Sequence, residues 1–427
     1  MSKANSQVHG ALEDVFKDIQ SLVVVGGNWG DEGKGKIIDL IMNYYDTVVR
    51  FSGGANAGHT VFTPEGVKVV SHLIPCGLAQ RKTSVLARGE FFDLKLFIEE
   101  LESSRVTLNG NLPDIYIDHM APLWTPWHGL LESWLESIRG VSRINTTGKA
   151  MGPLSGLHKL RVGPVVSDLY EGRDHLLAIL KFLHTALAPL FEKMDLKEPV
   201  YTPEEVTDML LKRAPQIKDK ICDTSFYLHE ALGKGDKILF EGAQALGLDN
   251  RWGTYPYVSS GNSIASGASI GTGLPMQAFA ATLMVAKVLP TRVGAGPFPS
   301  EIWDRDLSQN FPKTRPELFE KGPARDEFLK NTLSKINSKQ ANPAELAQYF
   351  QVLGDERGAT TGRGRSIGYL DIPWIQYGVR VNGPKWLALT RFDMLSGLKS
   401  IPVVVGYKLD GKLLKPGEMP NPSQLLK

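Results

Sequence analysis

Cysteine is nearly absent from this chain: 427 residues contain only Cys76 and Cys222. Two thiols cannot build a disulfide framework and offer no C-x-x-C metal spacing, which suits a reducing, cytoplasmic compartment. Free cysteine is most often buried, and both are expected buried or half-buried. An excess of one charge is also missing. Lys+Arg 48 against Asp+Glu 46 leaves +2, too balanced for a protein whose main task is coating nucleic acid or an anionic membrane. Long hydrophobic runs are lacking as well. The N-terminus has no continuous apolar core of a signal peptide. Instead Leu12, Val15, Phe16 and Ile19 fall at helical spacing and predict an amphipathic docking arm within an extension over residues 1–21. The most apolar stretch, 176–191, is interrupted by Lys181, His184 and Pro189 and is too short for a bilayer, so it reads as a core helix. No internal repeat or low-complexity segment is present.

The chain is 42% hydrophobic, enough for a large buried core. Short apolar or β-branched runs at 22–25, 47–51, 69–73, 237–240, 281–288, 386–390 and 402–405 alternate with helical patterns. That alternation predicts an α/β fold with a mainly parallel central sheet and flanking helices. Residues 22–427 read as one catalytic domain. Between 304 and 357 the composition turns polar, charged and helical, which predicts an inserted surface lobe whose faces meet water and carry no chemistry.

Glycine, by contrast, is abundant at 43 residues and clusters after the strands, where backbone approaches a ligand or turns tightly. The first cluster, N-W-G-D-E-G-K-G-K at 28–36, joins a buried strand to an apolar-periodic helix. That is the context in which amides and a helix N-terminus hold phosphate, and it predicts a P-loop-like phosphate-binding loop. Residues 30–36 satisfy G-x-x-x-x-G-K, but Ile37 stands where Ser or Thr normally helps hold magnesium. Asp31, inside the loop, is the nearest substitute; a carboxylate among phosphates needs a metal or a substrate proton beside it. The second cluster, at 50–60, holds Asn56 and His59 among small residues, with His suited in pKa to acid–base work. Further blocks are I-N-T-T-G-K-A-M-G-P at 144–153, E-G-A-Q at 241–244 running on to Ser259, T-R-V-G-A-G-P-F-P at 291–299 and G-A-T-T-G-R-G-R at 358–365. Gln244 both donates and accepts, as an amide-like base edge requires. Arg363 and Arg365 suit bidentate contact with carboxylate or phosphate. Asp393 follows a strand and can accept from a guanine edge.

These blocks, in this order, resemble the adenylosuccinate synthetase family from about residue 22 to 407. The resemblance implies a GTP-dependent ligase of AMP biosynthesis. GTP phosphorylates the 6-oxygen of IMP, and L-aspartate then displaces phosphate to give adenylosuccinate. It implies that Asp31, His59, Lys34 and Gln244 are catalytic, with Asp31 and the Gly58 carbonyl holding Mg2+. IMP would be held by Asn56, Thr147, Gln244, Ser259 and Arg363, with Arg161 sent across a homodimer interface. Aspartate would meet Val293, Ala359, Thr360, Thr361, Arg363 and Arg365. GTP would meet Gly30, Glu32, Gly33, Lys34, Gly35, Lys36, Gly58, His59, Thr60, Arg365, Arg391 and Asp393. Departures are Ser259 for a threonine, Lys149-Ala150 for Arg-Gly, and Arg391 for a lysine. The family also continues past the equivalent of Lys427, including a loop that closes over guanine. Two alternatives stand beside this reading: a relative aminating another purine, such as deoxyguanylate, and a non-catalytic nucleotide-binding paralogue. Relatives of the first kind tend to alter the loop acid, whereas Asp31 stands here.

Overall fold

The computed structural model describes residues 10–425 apart from 11, 64–65, 197–198 and 359–361. Eight strands form the central sheet: β1 (Ser21–Gly26), β2 (Thr47–Arg50), β3 (Thr83–Leu86), β4 (Ile115–Asp118), β5 (Ile221–Cys222), β6 (Ile238–Glu241), β7 (Ala281–Lys287) and β8 (Trp386–Thr390). Their order is β8-β7-β1-β6-β2-β3-β4-β5, and every pairing is parallel. Strand side chains alternate between faces. Leu22 and Val24 therefore pack with Ile38, Ile41 and Leu239 on one side. Val23 and Val25 pack with Phe240, Met284 and Leu228 on the other. Covering both faces is what an all-parallel sheet requires.

Two expected strands need adjustment. The run at 69–73 lies in a separate antiparallel hairpin, where Lys68–Ser71 pairs with His59–Phe62. The run at 402–405 contributes only Val403–Val404, paired with Leu370–Asp371 outside the sheet. Strands β3, β4 and β5 were not anticipated. The N-terminal arm behaves as its periodicity demands: Phe16 is buried and meets Trp386 with ring centroids 5.3 Å apart. The stretch at 176–191 lies in the helix Arg173–Phe191, long and apolar enough by composition to cross a membrane. Its buried Leu176, Leu180, Leu183 and Leu187 fall on one stripe of a helical lobe, the pattern of a core-flanking helix.

The solvated-lobe reading of 304–357 is corrected. Helices Arg305–Thr314, Pro323–Asn337 and Pro343–Gly354 enclose Phe311, Leu318, Phe319 and Val352. Phe350 and Ala347 join Val288 and Ile367 in a core shared with the main body. Gln351, fully buried, donates to the carbonyls of Ser308 (3.0 Å) and Arg365 (2.8 Å). Charged outer faces dominate the composition here, and the few buried residues that anchor the segment are hidden among them.

One buried histidine ties fold to pH. At the start of helix Pro126–Ile138, the Thr125 amide donates to His128 Nδ1 at 2.9 Å. Burial pushes the His128 imidazole down to about 4, so the unfolded chain binds its proton first as pH falls. Stability should therefore decline from about pH 6.5 toward pH 4, by up to about 3 kcal/mol. His128→Gln keeps an acceptor at this capping position and should flatten that slope in thermal unfolding. A wild-type-to-variant gap that stays constant from pH 7 to 4.5 contradicts this assignment.

Candidate active site

The strand ends on the carboxyl side, with their glycine loops, line a cavity of about 1330 Å³, the expected location for a ligand in such a sheet. It brings together Gly30, Asp31, Glu32, Gly33, Lys34, Gly35, Lys36, Asn56, Gly58, His59, Thr60, Thr147, Gln244, Ser259, Val293, Arg365, Arg391 and Asp393. Arg161 is exposed and lies outside the cavity of its own chain. Arg363 is exposed too, its carbonyl accepting from the Gly358 amide at 2.8 Å. Ala359, Thr360 and Thr361 fall outside the described residues.

The first glycine loop is a strand–turn–helix unit: β1, then Gly30, Asp31 and Gly33 at φ 93, 59 and 84, then helix Lys34–Ile41. A side chain at positive φ is uncommon and marks a constrained position; here it turns Asp31 outward, half-exposed. Glu32 is turned the other way and buried. It accepts from the amides of Asn28 (3.1 Å) and Gly30 (2.8 Å) and from Lys34 Nζ (3.0 Å). Lys34 also donates to the Gln244 carbonyl at 2.5 Å. Glu32 thus braces the loop from inside, and Lys34 spans from it to β6's loop. Next to the loop, Trp29 stacks on Trp374 with centroids 4.0 Å apart, and Trp374 Nε1 donates to the Gly27 carbonyl at 2.8 Å.

Behind His59 lies a cluster that sequence reasoning missed. Arg50 and Glu241 are register partners on β2 and β6, both fully buried and joined at 2.6 Å. Glu241 also contacts His59 Nδ1 and accepts from the Cys76 amide at 2.8 Å. Burial alone would raise the Glu241 carboxyl, but Arg50 and His59 outweigh it and hold it below the usual carboxylate range. Burial also lowers His59 and pushes the Cys76 thiol well up, so Cys76 is an inert packing thiol. His59, Cys76 and Glu241 place three possible ligand atoms within 4.8 Å of one another. Arg50 already supplies the positive charge there, lying 3.1 Å from His59 Nδ1, so the trio is a hydrogen-bonded support. With Nδ1 engaged, Nε2 is the His59 nitrogen left for a ligand.

Beside the first glycine loop Gln244 sits at φ 56, and neither its amide oxygen nor its nitrogen has a hydrogen-bond partner among the described residues. Asn56 Nδ2 donates to Ser259 Oγ at 3.3 Å, leaving Asn56 Oδ1 similarly unmatched. Buried polar atoms without partners are rare and costly, so this wall is built to meet a polar ligand. Gly53 makes room for it: at φ 88, an added Cβ would stand 2.5 Å from Ala243 Cβ and 3.3 Å from Gln244 Oε1.

Two other cations are buried. Arg292 donates to the carbonyls of Tyr257 (2.9 Å), Ala295 (2.6 Å) and Pro297 (2.8 Å). Burial pushes it down to about 9, and it frames the 291–299 loop at the cavity wall. Lys287, at the end of β7, meets Glu356 at 2.7 Å.

The family model described as adenylosuccinate synthetase matches residues 23–427. The chain belongs to the adenylosuccinate synthetase family. It is 36% identical over 417 residues to the adenylosuccinate synthetase of Anaeromyxobacter dehalogenans, covering 95% of this chain and 84% of that one. Against the Rhodococcus opacus enzyme it is 34% identical over 412 residues, covering 94% and 83%. The fully ligated adenylosuccinate synthetase structure from Plasmodium falciparum superposes with a TM-score of 0.77 at 29% identity, covering 95% and 86%. A cyanophage S-2L succinoaminodeoxyadenylate synthetase bound to dGMP and dATP gives 0.55 at 15% identity, covering 96% and 98%; that likeness speaks to fold alone. Family membership makes the chain a ligase that joins IMP and L-aspartate in AMP biosynthesis.

The Arg50–Glu241 pair should be the most mutation-sensitive polar contact in this adenylosuccinate synthetase scaffold. Glu241→Gln strands a buried guanidinium, and breaking such a pair costs on the order of 3–5 kcal/mol. Denaturant unfolding should show that loss; a change below about 1 kcal/mol would mean Arg50 finds another counter-charge.

Proposed function

We propose that the cavity carries out a two-step, GTP-dependent reaction through a 6-phosphoryl-IMP intermediate. The observation that carries this reading is the Gln244 wall. A buried, unmatched amide faces the same cavity as a half-exposed carboxylate, Asp31, on a glycine turn. An amide that donates and accepts complements a purine edge, and a carboxylate in the same cavity accepts a ring proton.

In the first step Asp31 takes the N1 proton of IMP as O6 attacks the γ-phosphorus and the bond to GDP breaks. Lys34 and the loop amides offset the charge that spreads over the phosphoryl group. His59, held at Nδ1 by Glu241, presents Nε2 to the phosphoryl oxygens. In the second step the aspartate amine attacks C6, phosphate leaves, and the amine proton passes to solvent. Asp31 and Gly58 line the same cavity, and a carboxylate and a carbonyl from them would be an all-oxygen donor pair that suits Mg2+. Bound there, the ion neutralises phosphate charge. Arg391 and Asp393, which line the same cavity, read the guanine, and Arg365 with the T-T-G-R block before it takes aspartate. Arg161, exposed outside its own cavity, fits donation to the IMP site of a second copy in a cytoplasmic homodimer.

An aspartate-dependent ultraviolet assay with phosphate release, run with IMP against deoxyguanylate and GTP against ATP, tests this directly. Product with IMP and GTP is expected; none with any pairing overturns it. Asp31→Asn should keep the fold and lower turnover by about 10² or more, and a near-normal rate removes Asp31 from the mechanism. Arg161→Leu should chiefly raise the KM for IMP. Mixing it with Asp31→Asn should restore activity through hybrid dimers, and no recovery argues against a shared site.

A further inference from the structure

Glu356 lies at the base of the polar segment, 2% exposed at its side chain, and three cations converge on it. Its Oε1 accepts from Lys287 Nζ (2.7 Å) and Arg391 NH2 (3.0 Å), and its Oε2 from Arg365 NH1 (3.0 Å). Arg365 reaches onward to Asp31 Oδ2 at 2.9 Å. An unbroken chain of charges thus runs Arg391–Glu356–Arg365–Asp31, from the end of β8 to the first glycine loop. A second tie runs alongside it: Thr390 Oγ1, one residue before Arg391, donates to the Glu32 carbonyl at 2.6 Å. Burial would raise the Glu356 carboxyl, but Lys287, Arg365 and Arg391 together hold it down to about 2. It is a fixed negative hub.

We propose that Glu356 is a positioning residue that couples the base-reading end of the cavity to the catalytic acid. This rests on the reading that Arg391 and Asp393 face the nucleotide base. Arg391 and Arg365 share one carboxylate, so a base that draws Arg391 changes what Glu356 offers Arg365. Arg365 in turn covers or frees Asp31. The correct base is thereby felt in turnover as well as in binding, and residues 304–357 belong to the mechanism of selection.

The test uses the full chain and compares Glu356→Gln and Glu356→Asp with wild type, measuring kcat and KM separately for GTP, ITP and ATP. Glu356→Gln should lower kcat with GTP roughly tenfold and shrink the GTP-over-ITP ratio of kcat by a similar factor. KM for IMP should stay within about twofold. Glu356→Asp restores the charge and should recover part of the ratio, which a purely structural role would not. If the Gln variant does not fold, Lys287→Met combined with Glu356→Gln removes the buried pair together and should show the same lost ratio. A wild type that prefers GTP, with a folded variant keeping that preference in kcat, overturns the coupling. A wild type indifferent to the base overturns the base-reading assignment, and the coupling with it.

Discussion

A parallel sheet covered on both faces keeps water from its strands, so any charge set into it must be matched by another. Arg50 and Glu241 meet that constraint as neighbours in register on β2 and β6. Much of the site hangs on the match. Glu241 fixes His59 by one ring nitrogen and Cys76 by its amide, and it begins the E-G-A-Q turn that sets Gln244 into the cavity. Gln244 lends its carbonyl to Lys34 and so to the first glycine loop. The pair is a support for chemistry done elsewhere.

The glycine-loop blocks were legible because their signal is local. A strand, a turn that needs positive φ and a helix lie within one short window, and Gly30, Asp31 and Gly33 satisfy all three demands. Most strands with continuous β-branched runs could be placed for the same reason. β5 escaped notice because it has two residues, too few to carry a pattern; β3 and β4 match β2 and β6 in length but interleave Ser84, Tyr116 and Asp118 with their apolar residues. The run at 69–73 looked like a sheet strand because apolar alternation does not say which edge a strand joins.

What the sequence hid were the pairings. Arg50 and Glu241 lie 191 residues apart, and Lys287 and Glu356 lie 69 apart; nothing local marks one as the partner of the other. Glu356 was hidden further by its surroundings, a segment whose charged faces do meet water while its final turn folds back into the site. Composition averages over a helix, whereas chemistry depends on one side chain. Glu32 is the converse case. It stands in the loop motif beside Asp31, yet the backbone turns it inward to brace the loop while its neighbour faces the cavity.

The stacked indoles of Trp29 and Trp374 give that loop one more property. Trp29 is built into the glycine turn, while Trp374 stands on the helix Ile372–Asn382 and is pinned to the Gly27 carbonyl. Two chromophores at this spacing interact electronically, so their shared absorption and emission depend on the angle and gap between the rings. The turn carries a native optical gauge of its own geometry.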